Sequence, residues 1–249
     1  MRAKGIFCLE GLWVQNLKDK STVGPILELL DESERIPHIH RDCAAAAEIA
    51  YYVAKWTLSP YRRFPILYFA FHGVPGAIYV GNWEKLSLEE LAAFFPRPKR
   101  SVIIFGSCKT IAVGKTRLKA FMKRTGAIAV CGYETDVDWI RSTAFELLLL
   151  NTLQQNEFSG KGISAIVRKT KAEARRFKEL GFRIIPAFES ANGTHKRGNG
   201  AATSVKAAPP AARRKRPSPA AAAAAGMAPS PSARRRRQSP ARRKPGARR

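Results

Sequence analysis

Two apolar segments of the chain each lead to a side chain capable of nucleophilic catalysis. The segment 65–71 is followed at once by His72, and the segment 101–105 is followed, three positions after its last residue, by Cys108. A thiol becomes an effective nucleophile when an adjacent imidazole removes its proton. If the segments are strands of one parallel sheet, both side chains lie at the sheet edge where open α/β folds carry out their chemistry. The pattern therefore predicts that Cys108 is a nucleophile and that His72 is its base.

Packing is the alternative interpretation of either residue taken alone. A cysteine at the end of a strand is usually buried and inert. Two glycines favour a reactive site, because Gly73 lets a substrate backbone approach closely and Gly106 leaves room beside the thiol. The backbone N–H groups of Gly73 and Cys108 are then candidate donors to the oxyanion of a tetrahedral intermediate.

The elements that must position this pair alternate along the chain. Apolar runs predict strands, and stretches with helical spacing of apolar residues predict helices. The predicted strands are 5–9, 36–40, 65–71, 101–105, 127–130 and 182–188, with a hairpin partner at 77–80, and the predicted helices are 23–30, 44–56, 88–95, 116–124, 137–153 and 163–180. Strands that alternate with helices are typical of a mostly parallel sheet covered on both faces. The predicted fold is an α/β three-layer sandwich around a six-stranded, mostly parallel sheet.

The charge of the chain is concentrated at its C-terminal end. Of the 44 Lys and Arg residues, 16 lie in residues 190–249, which contain no Asp or Glu, so most of the net charge of +25 belongs to this segment. We predict a folded domain over residues 1–189 and a disordered tail rich in Ala, Pro and Arg over residues 190–249. The tail either binds nucleic acid without sequence preference or serves only as a solubilising appendage.

The pattern of cysteines and the length of the apolar runs indicate in which cellular compartment the protein is found. The four cysteines are Cys8, Cys43, Cys108 and Cys131. They include no Cys-x-x-Cys pair, which is typical of reduced thiols in a cytoplasmic protein. No N-terminal stretch has the form of a signal peptide, and no apolar run is long enough to span a membrane. His38 and His40, with Cys43 nearby, lack a fourth ligand at suitable spacing, so structural histidines are favoured over a metal site. We expect a cytoplasmic protein with no membrane partner, no metal and no cofactor.

The segments ILYFAFHG (66–73) and SVIIFGSC (101–108) resemble the signature blocks of the caspase-like cysteine peptidases. In that superfamily an apolar strand ends in His-Gly, and a later apolar strand ends in a small residue followed by Cys. Cys108 follows His72 by 36 residues, whereas the corresponding separation in caspases is roughly 50 residues. The segment GSCKT (106–110) stands where caspases have their specific cysteine block. The chain is therefore more similar to the compact bacterial CHAT-like branch of this superfamily, clan CD.

The resemblance implies a cysteine endopeptidase that acts on proteins or peptides through a His72 and Cys108 dyad, with Gly73 and Cys108 supplying oxyanion amides. It also implies that the first strand lies beside the strand that ends in His72, which brings Glu10 near the imidazole. Glu10 then orients or charge-stabilises that ring or helps to bind substrate, unless it is an ordinary surface carboxylate. The alternative function is a catalytically silent caspase-like scaffold whose basic tail binds nucleic acid.

An acidic loop follows the predicted strand 127–130 at the same sheet edge. It contains Glu134, Asp136 and Asp138 between Tyr133 and Trp139. These carboxylates either form a pocket for an Arg or Lys that precedes the cleaved bond, or they cap the helix that follows. We expect one of the two aspartates to cap and the other to contact substrate.

Overall fold

The structure is a computed structural model and describes residues 2–188. The predicted tail, residues 190–249, lies outside the described residues. The strands are β1 (Ile6–Glu10), β2 (His38–Asp42), β3 (Ile66–Ala70), β4 (Gly73–Val74), β5 (Ala77–Val80), β6 (Glu84–Ser87), β7 (Ser101–Phe105), β8 (Ala127–Tyr133) and β9 (Phe182–Pro186). The helices are α1 (Gly24–Glu34), α2 (Ala46–Trp56), α3 (Leu88–Ala93), α4 (Lys115–Thr125), α5 (Trp139–Gln154) and α6 (Gly160–Ala174).

Six strands form one sheet in the order β2-β1-β3-β7-β8-β9. All neighbours in it are parallel except β8 and β9, which are antiparallel. The central strands β1, β3, β7 and β8 are buried along their whole length, as expected for strands covered on both faces. The predicted α/β fold with a six-stranded, mostly parallel sheet is confirmed. The short strands β4, β5 and β6 form a separate antiparallel sheet immediately after β3.

Two apolar layers lie on opposite faces of the large sheet. Alternate residues of β3 divide between them: Leu67 and Phe69 face one layer, and Tyr68 faces the other. Helices α2, α3 and α4 supply side chains to the first layer, and α1, α5 and α6 supply the second. The helices therefore leave the carboxyl ends of the parallel strands as the edge where loops build a site.

The predicted helix 163–180 is shorter at its C-terminal end than expected. Helix α6 ends at Ala174, and a separate short 3₁₀ turn spans Lys178–Leu180. Phe177 leaves the helical conformation and packs its ring 5.3 Å from the ring of Phe145 on α5. Burial of this aromatic ring outweighs continuation of an exposed basic helix. Within residues 2–188, none of the helices is both long and apolar enough to cross a membrane.

Candidate functional site

Strand register brings His72 and Cys108 to the same edge of the sheet. β3 and β7 are parallel neighbours, and Phe69 lies opposite Phe105 in the register. His72 follows Phe69 by three residues, and Cys108 follows Phe105 by the same number. The two side chains therefore start from equivalent positions beyond adjacent strands, and they line the same cavity, whose volume is about 120 Å³. The structure thus brings both residues to the carboxyl edge of the sheet, where the sequence places them.

Gly73 brings the two turns into contact. A Cβ atom added to Gly73 would lie 2.5 Å from the carbonyl oxygen of Cys108 and would also collide with the side chain of Thr110. Real Cβ atoms do not approach backbone this closely, so only glycine fits between the turns. Gly73 thus allows the loops that follow β3 and β7 to approach each other closely. This role is additional to the predicted donation of its N–H to an oxyanion.

The ring of His72 is held by a backbone carbonyl. Its Nε2 lies 2.7 Å from the carbonyl oxygen of Trp13, in the loop after β1. A carbonyl oxygen only accepts hydrogen bonds, so Nε2 carries the proton. The neutral imidazole then has its lone pair on Nδ1, the nitrogen that remains for proton transfer. The loop after β1 thereby fixes the tautomer required of a base.

The sulfur of Cys108 receives a hydrogen bond of its own. The backbone N–H of Val137 lies 3.5 Å from Sγ. A donor aimed at sulfur stabilises negative charge there. Cys108 is half-buried, whereas the other three cysteines are buried. Burial raises the pKa of Cys43 to about 12 and raises the pKa values of Cys8 and Cys131 as well. Cys108 is thus the cysteine of the described chain whose thiol is open to a substrate.

Three tryptophans surround the imidazole and the cavity mouth. Trp13 packs edge-on against His72 with ring centroids 5.4 Å apart, and it packs against Trp139 at 4.7 Å. Trp83 covers another side of the His72 ring at 5.2 Å while remaining about half exposed. These rings restrict the motion of the imidazole and reduce access of water to it.

Two residues beside the dyad have left-handed backbone conformations that cost energy for non-glycine residues. Trp83 has φ of 60° and Lys109, directly after Cys108, has φ of 58°. Such conformations persist where surrounding contacts impose them, and they cluster at functional sites. Lys109 is held there by the hydrogen bond from its N–H to the carbonyl of Thr135, 3.1 Å away.

Glu10 lies at the predicted sheet edge but binds His40 rather than His72. Its carboxylate is buried and accepts four hydrogen bonds, two at each oxygen. The donors are Trp13 Nε1, the Val23 N–H, Thr22 Oγ1 and His40 Nε2, the last three at 2.8, 2.7 and 2.6 Å. Burial by itself would raise the pKa of Glu10, but these hydrogen bonds outweigh it and lower the pKa below its usual value. The hydrogen bond to Glu10 raises the pKa of His40 in turn.

Glu10 is connected to His72 only indirectly, through Trp13. It holds the indole of Trp13, and the carbonyl of Trp13 holds the ring of His72. Glu10 is therefore linked to the imidazole through Trp13, and it is not an exposed carboxylate, with 2% of its surface accessible.

The three carboxylates of the acidic loop are all engaged with groups of the same chain. Glu134 binds Arg183 at 2.6 Å. Asp136 forms an ion pair with Lys109. Asp138 caps α5 and accepts a hydrogen bond from the N–H of Arg141 at 2.9 Å. The loop lies beside Cys108, but the structure does not bring its carboxylates together as an open acidic pocket.

A buried carboxylate that the sequence analysis missed lies in the dyad cavity. Glu146 of α5 lines the cavity together with His72 and Cys108. The hydroxyl of Tyr68 on β3 donates to Oε2 at 2.5 Å, and the hydroxyl of Tyr133 on β8 donates to Oε1 at 3.0 Å. Burial raises the pKa of Glu146 to about 7, although both hydrogen bonds lower it.

One group of side chains has the ligand types of a metal centre. The carboxylates of Glu10 and Asp42 and the ring of His40 offer ligand atoms within 4.8 Å of one another. The four donors on Glu10 already use all the acceptor positions of its carboxylate. A cation would have to displace one of them, so the side chains fit a hydrogen-bonded cluster better than a metal site.

Comparison with known proteins identifies the family of the chain. No curated protein matches it. A protein-family model matches residues 3–185, which is nearly all of the described α/β domain. The chain therefore belongs to the family described as "Family of unknown function (DUF6642)".

Proposed function

We propose that this protein is a cysteine endopeptidase that cleaves proteins or peptides through Cys108 and His72, without a cofactor. One observation carries the proposal: the two side chains occupy equivalent positions beyond parallel neighbours and line one cavity. The hydrogen bond from Nε2 of His72 to the carbonyl of Trp13, which leaves Nδ1 free, supports it. Chance packing explains a cysteine or a histidine at a strand end, but it does not explain this coincidence.

The first half of the reaction forms a thioester. Nδ1 of His72 takes the proton of the Cys108 thiol as sulfur attacks the carbonyl carbon of the scissile bond. The carbonyl oxygen becomes an oxyanion, stabilised by the backbone N–H groups of Gly73 and Cys108. The carbon–nitrogen bond then breaks, and His72 returns the proton to the leaving amine.

The second half of the reaction restores the enzyme. A water molecule attacks the thioester carbon while Nδ1 of His72 accepts one of its protons. The carbon–sulfur bond breaks, the carboxylic acid product leaves, and the proton passes to the sulfur of Cys108. The hydrogen bonds of the two side chains go to Trp13 and Val137 rather than to each other, and such contacts often tighten only when substrate is bound.

The experiment is digestion of a peptide library by the wild type, by Cys108→Ala and by His72→Ala. We expect cleavage by the wild type, none by Cys108→Ala, and a rate reduced by at least about a hundredfold for His72→Ala. Equal products from all three proteins, or no cleavage by the wild type of any library member, would contradict the proposal. Thermal unfolding of each variant serves as the control for folding.

The tail carries a second, independent proposal: residues 190–249 bind nucleic acid. Their 16 basic residues without any acidic residue provide the phosphate-neutralising charge. Such binding ignores sequence and weakens steeply as salt concentration rises. A salt titration of DNA binding by the full chain and by residues 1–189 tests it. Binding that survives removal of the tail, or that does not change with salt, contradicts it. A cytoplasmic location is proposed with it, since the four cysteines are free.

A further inference from the structure

The cavity that contains the dyad has a buried acidic group in its wall. We infer that Glu146 selects a cationic side chain, Lys or Arg, on the residue that precedes the cleaved bond. This inference rests on the proposed peptidase function and names the substrate class of that same site. It replaces the acidic loop, whose carboxylates are already paired, as the source of the specificity.

Glu146 retains unused hydrogen-bonding capacity. An ionised carboxylate offers about four acceptor positions. Tyr68 and Tyr133 use one position on each oxygen of Glu146. The carboxylate of Glu10 provides the contrast within the same protein, because each of its oxygens accepts two hydrogen bonds. Glu146 can therefore still accept a bidentate guanidinium or an ammonium group, whereas Glu10 cannot.

Glycine at position 106 places this carboxylate against the strand that carries the nucleophile. A Cβ atom added to Gly106 would lie 3.0 Å from Oε1 of Glu146 and 2.6 Å from the ring of Tyr68. Cys108 follows Gly106 by two residues on the same strand end. Gly106, Cys108 and Glu146 all line the cavity. A side chain beside the bond under attack thus has a direct route to Glu146.

The walls of the cavity suit the stem of a long basic side chain. Trp13, Val23, Val137 and Trp139 line it with apolar surface. Lys and Arg bury their methylene stems against such surface and present the charge at the tip. The cavity, of about 120 Å³, has room for several water molecules, which one extended side chain can displace.

The charge of Glu146 lacks a counterion in the described chain. The residues that line its cavity include no Lys or Arg among positions 2–188. Burial raises the pKa values of the tyrosines and cysteines around it, which keeps them uncharged, and these are Tyr68, Tyr133, Cys8 and Cys131. His72 and Cys108 also line the cavity. A buried carboxylate without a partner is costly, and an incoming cation removes that cost. A neutral side chain of the same shape would not remove that cost.

Matched peptides test the inference. They have either arginine or citrulline, its uncharged isostere, before the cleaved bond. Binding is measured with the Cys108→Ala protein, which separates recognition from chemistry, and turnover is measured with the wild type. We expect arginine to be preferred by at least about tenfold in both assays. Glu146→Gln, which preserves the shape of the side chain, should reduce the preference to near unity. Glu134→Gln and Asp136→Asn are the matched controls and should leave it unchanged.

The outcomes separate this inference from the proposed function. Turnover without preference for arginine over citrulline in the wild type overturns the inference and leaves the peptidase standing. Preferred binding of arginine without turnover overturns the peptidase and leaves the cation pocket standing. Loss of the preference in Glu134→Gln or Asp136→Asn, with Glu146→Gln unaffected, would return the specificity to the acidic loop. The wild-type comparison needs no variant, so it decides the matter even if Glu146→Gln does not fold.

Discussion

The carbonyl of Trp13 lies 2.7 Å from Nε2 of His72 and fixes which ring nitrogen is free. Trp13 is itself fixed, because its indole N–H donates to the buried carboxylate of Glu10. A residue on the first strand therefore supports, through Trp13, a side chain that follows the third strand. The orientation of the proposed base, His72, therefore depends on both Glu10 and Trp13.

Glu10→Gln tests that support. An amide offers one oxygen in place of two, so two of the four donors to Glu10 lose their acceptor. We expect unfolding free energy to fall by about 2 kcal/mol and kcat to fall with little change in KM. Asp42→Asn is the control, since its side chain is 91% exposed. Equal kcat in the wild type and Glu10→Gln would show that Glu10 does not position the dyad.

The close approach of the turns that follow β3 and β7 gives a prediction at Gly73. Gly73→Ala should separate the turns, destabilise the protein and abolish cleavage, because its Cβ would collide with backbone. Gly114→Ala is the matched control, since a Cβ there meets nothing within 4 Å and φ is −60°. Because Gly114 is the N-cap of α4, where alanine is less favourable than glycine, we expect Gly114→Ala to lower stability by less than about 1 kcal/mol and to leave cleavage unchanged. Thermal midpoints and cleavage rates measure both, and normal activity in Gly73→Ala contradicts the close approach.

Glu146 makes stability depend on pH in a stated direction. Its pKa is about 7 in the folded protein and lies near 4.5 when unperturbed. The folded state binds the proton more tightly, so this group stabilises the fold at low pH. That contribution is lost as pH rises from about 4.5 through 7. The expected loss is about 3 kcal/mol between pH 4 and pH 8, relative to Glu146→Gln.

Denaturant unfolding of wild type and Glu146→Gln over this pH range measures the effect. The difference between their unfolding free energies cancels most contributions from other groups. A difference that stays constant with pH would mean that Glu146 is not buried as a titrating acid. A difference that changes in the opposite direction would mean that it is held ionised by a partner.

Part of the fold and of the site was predictable from local sequence. β3 and β7 consist almost entirely of apolar residues and lead directly to His72 and Cys108. Both strands and both candidate residues can therefore be recognised from local sequence. The antiparallel placement of β9 and the end of α6 at Ala174 have no such local signal. They depend on packing of Phe177 and Phe182 against Phe145, which brings together residues distant in the chain.

The supporting residues of the site were not predictable for the same reason. Glu146 stands alone in the apolar segment 144–150, which signals burial of its carboxylate but not its partners, because its two tyrosine partners lie 78 and 13 residues away. Trp13 acts on His72 through a backbone carbonyl, which has no residue-type signature. The acidic loop had a signal, but its partners Lys109 and Arg183 are remote in sequence.

Selective alkylation tests the nucleophile–base pair most directly. The protein is treated with a peptidyl thiol-directed inhibitor, and the adduct is located and timed by mass spectrometry. Cys8, Cys43 and Cys131 are internal controls because they are buried. We predict a single adduct at Cys108, formed at least about a hundredfold faster in the wild type than in His72→Ala. Equal rates in the two proteins, or labelling that is no faster at Cys108 than at the buried cysteines, would contradict the pairing of Cys108 with His72.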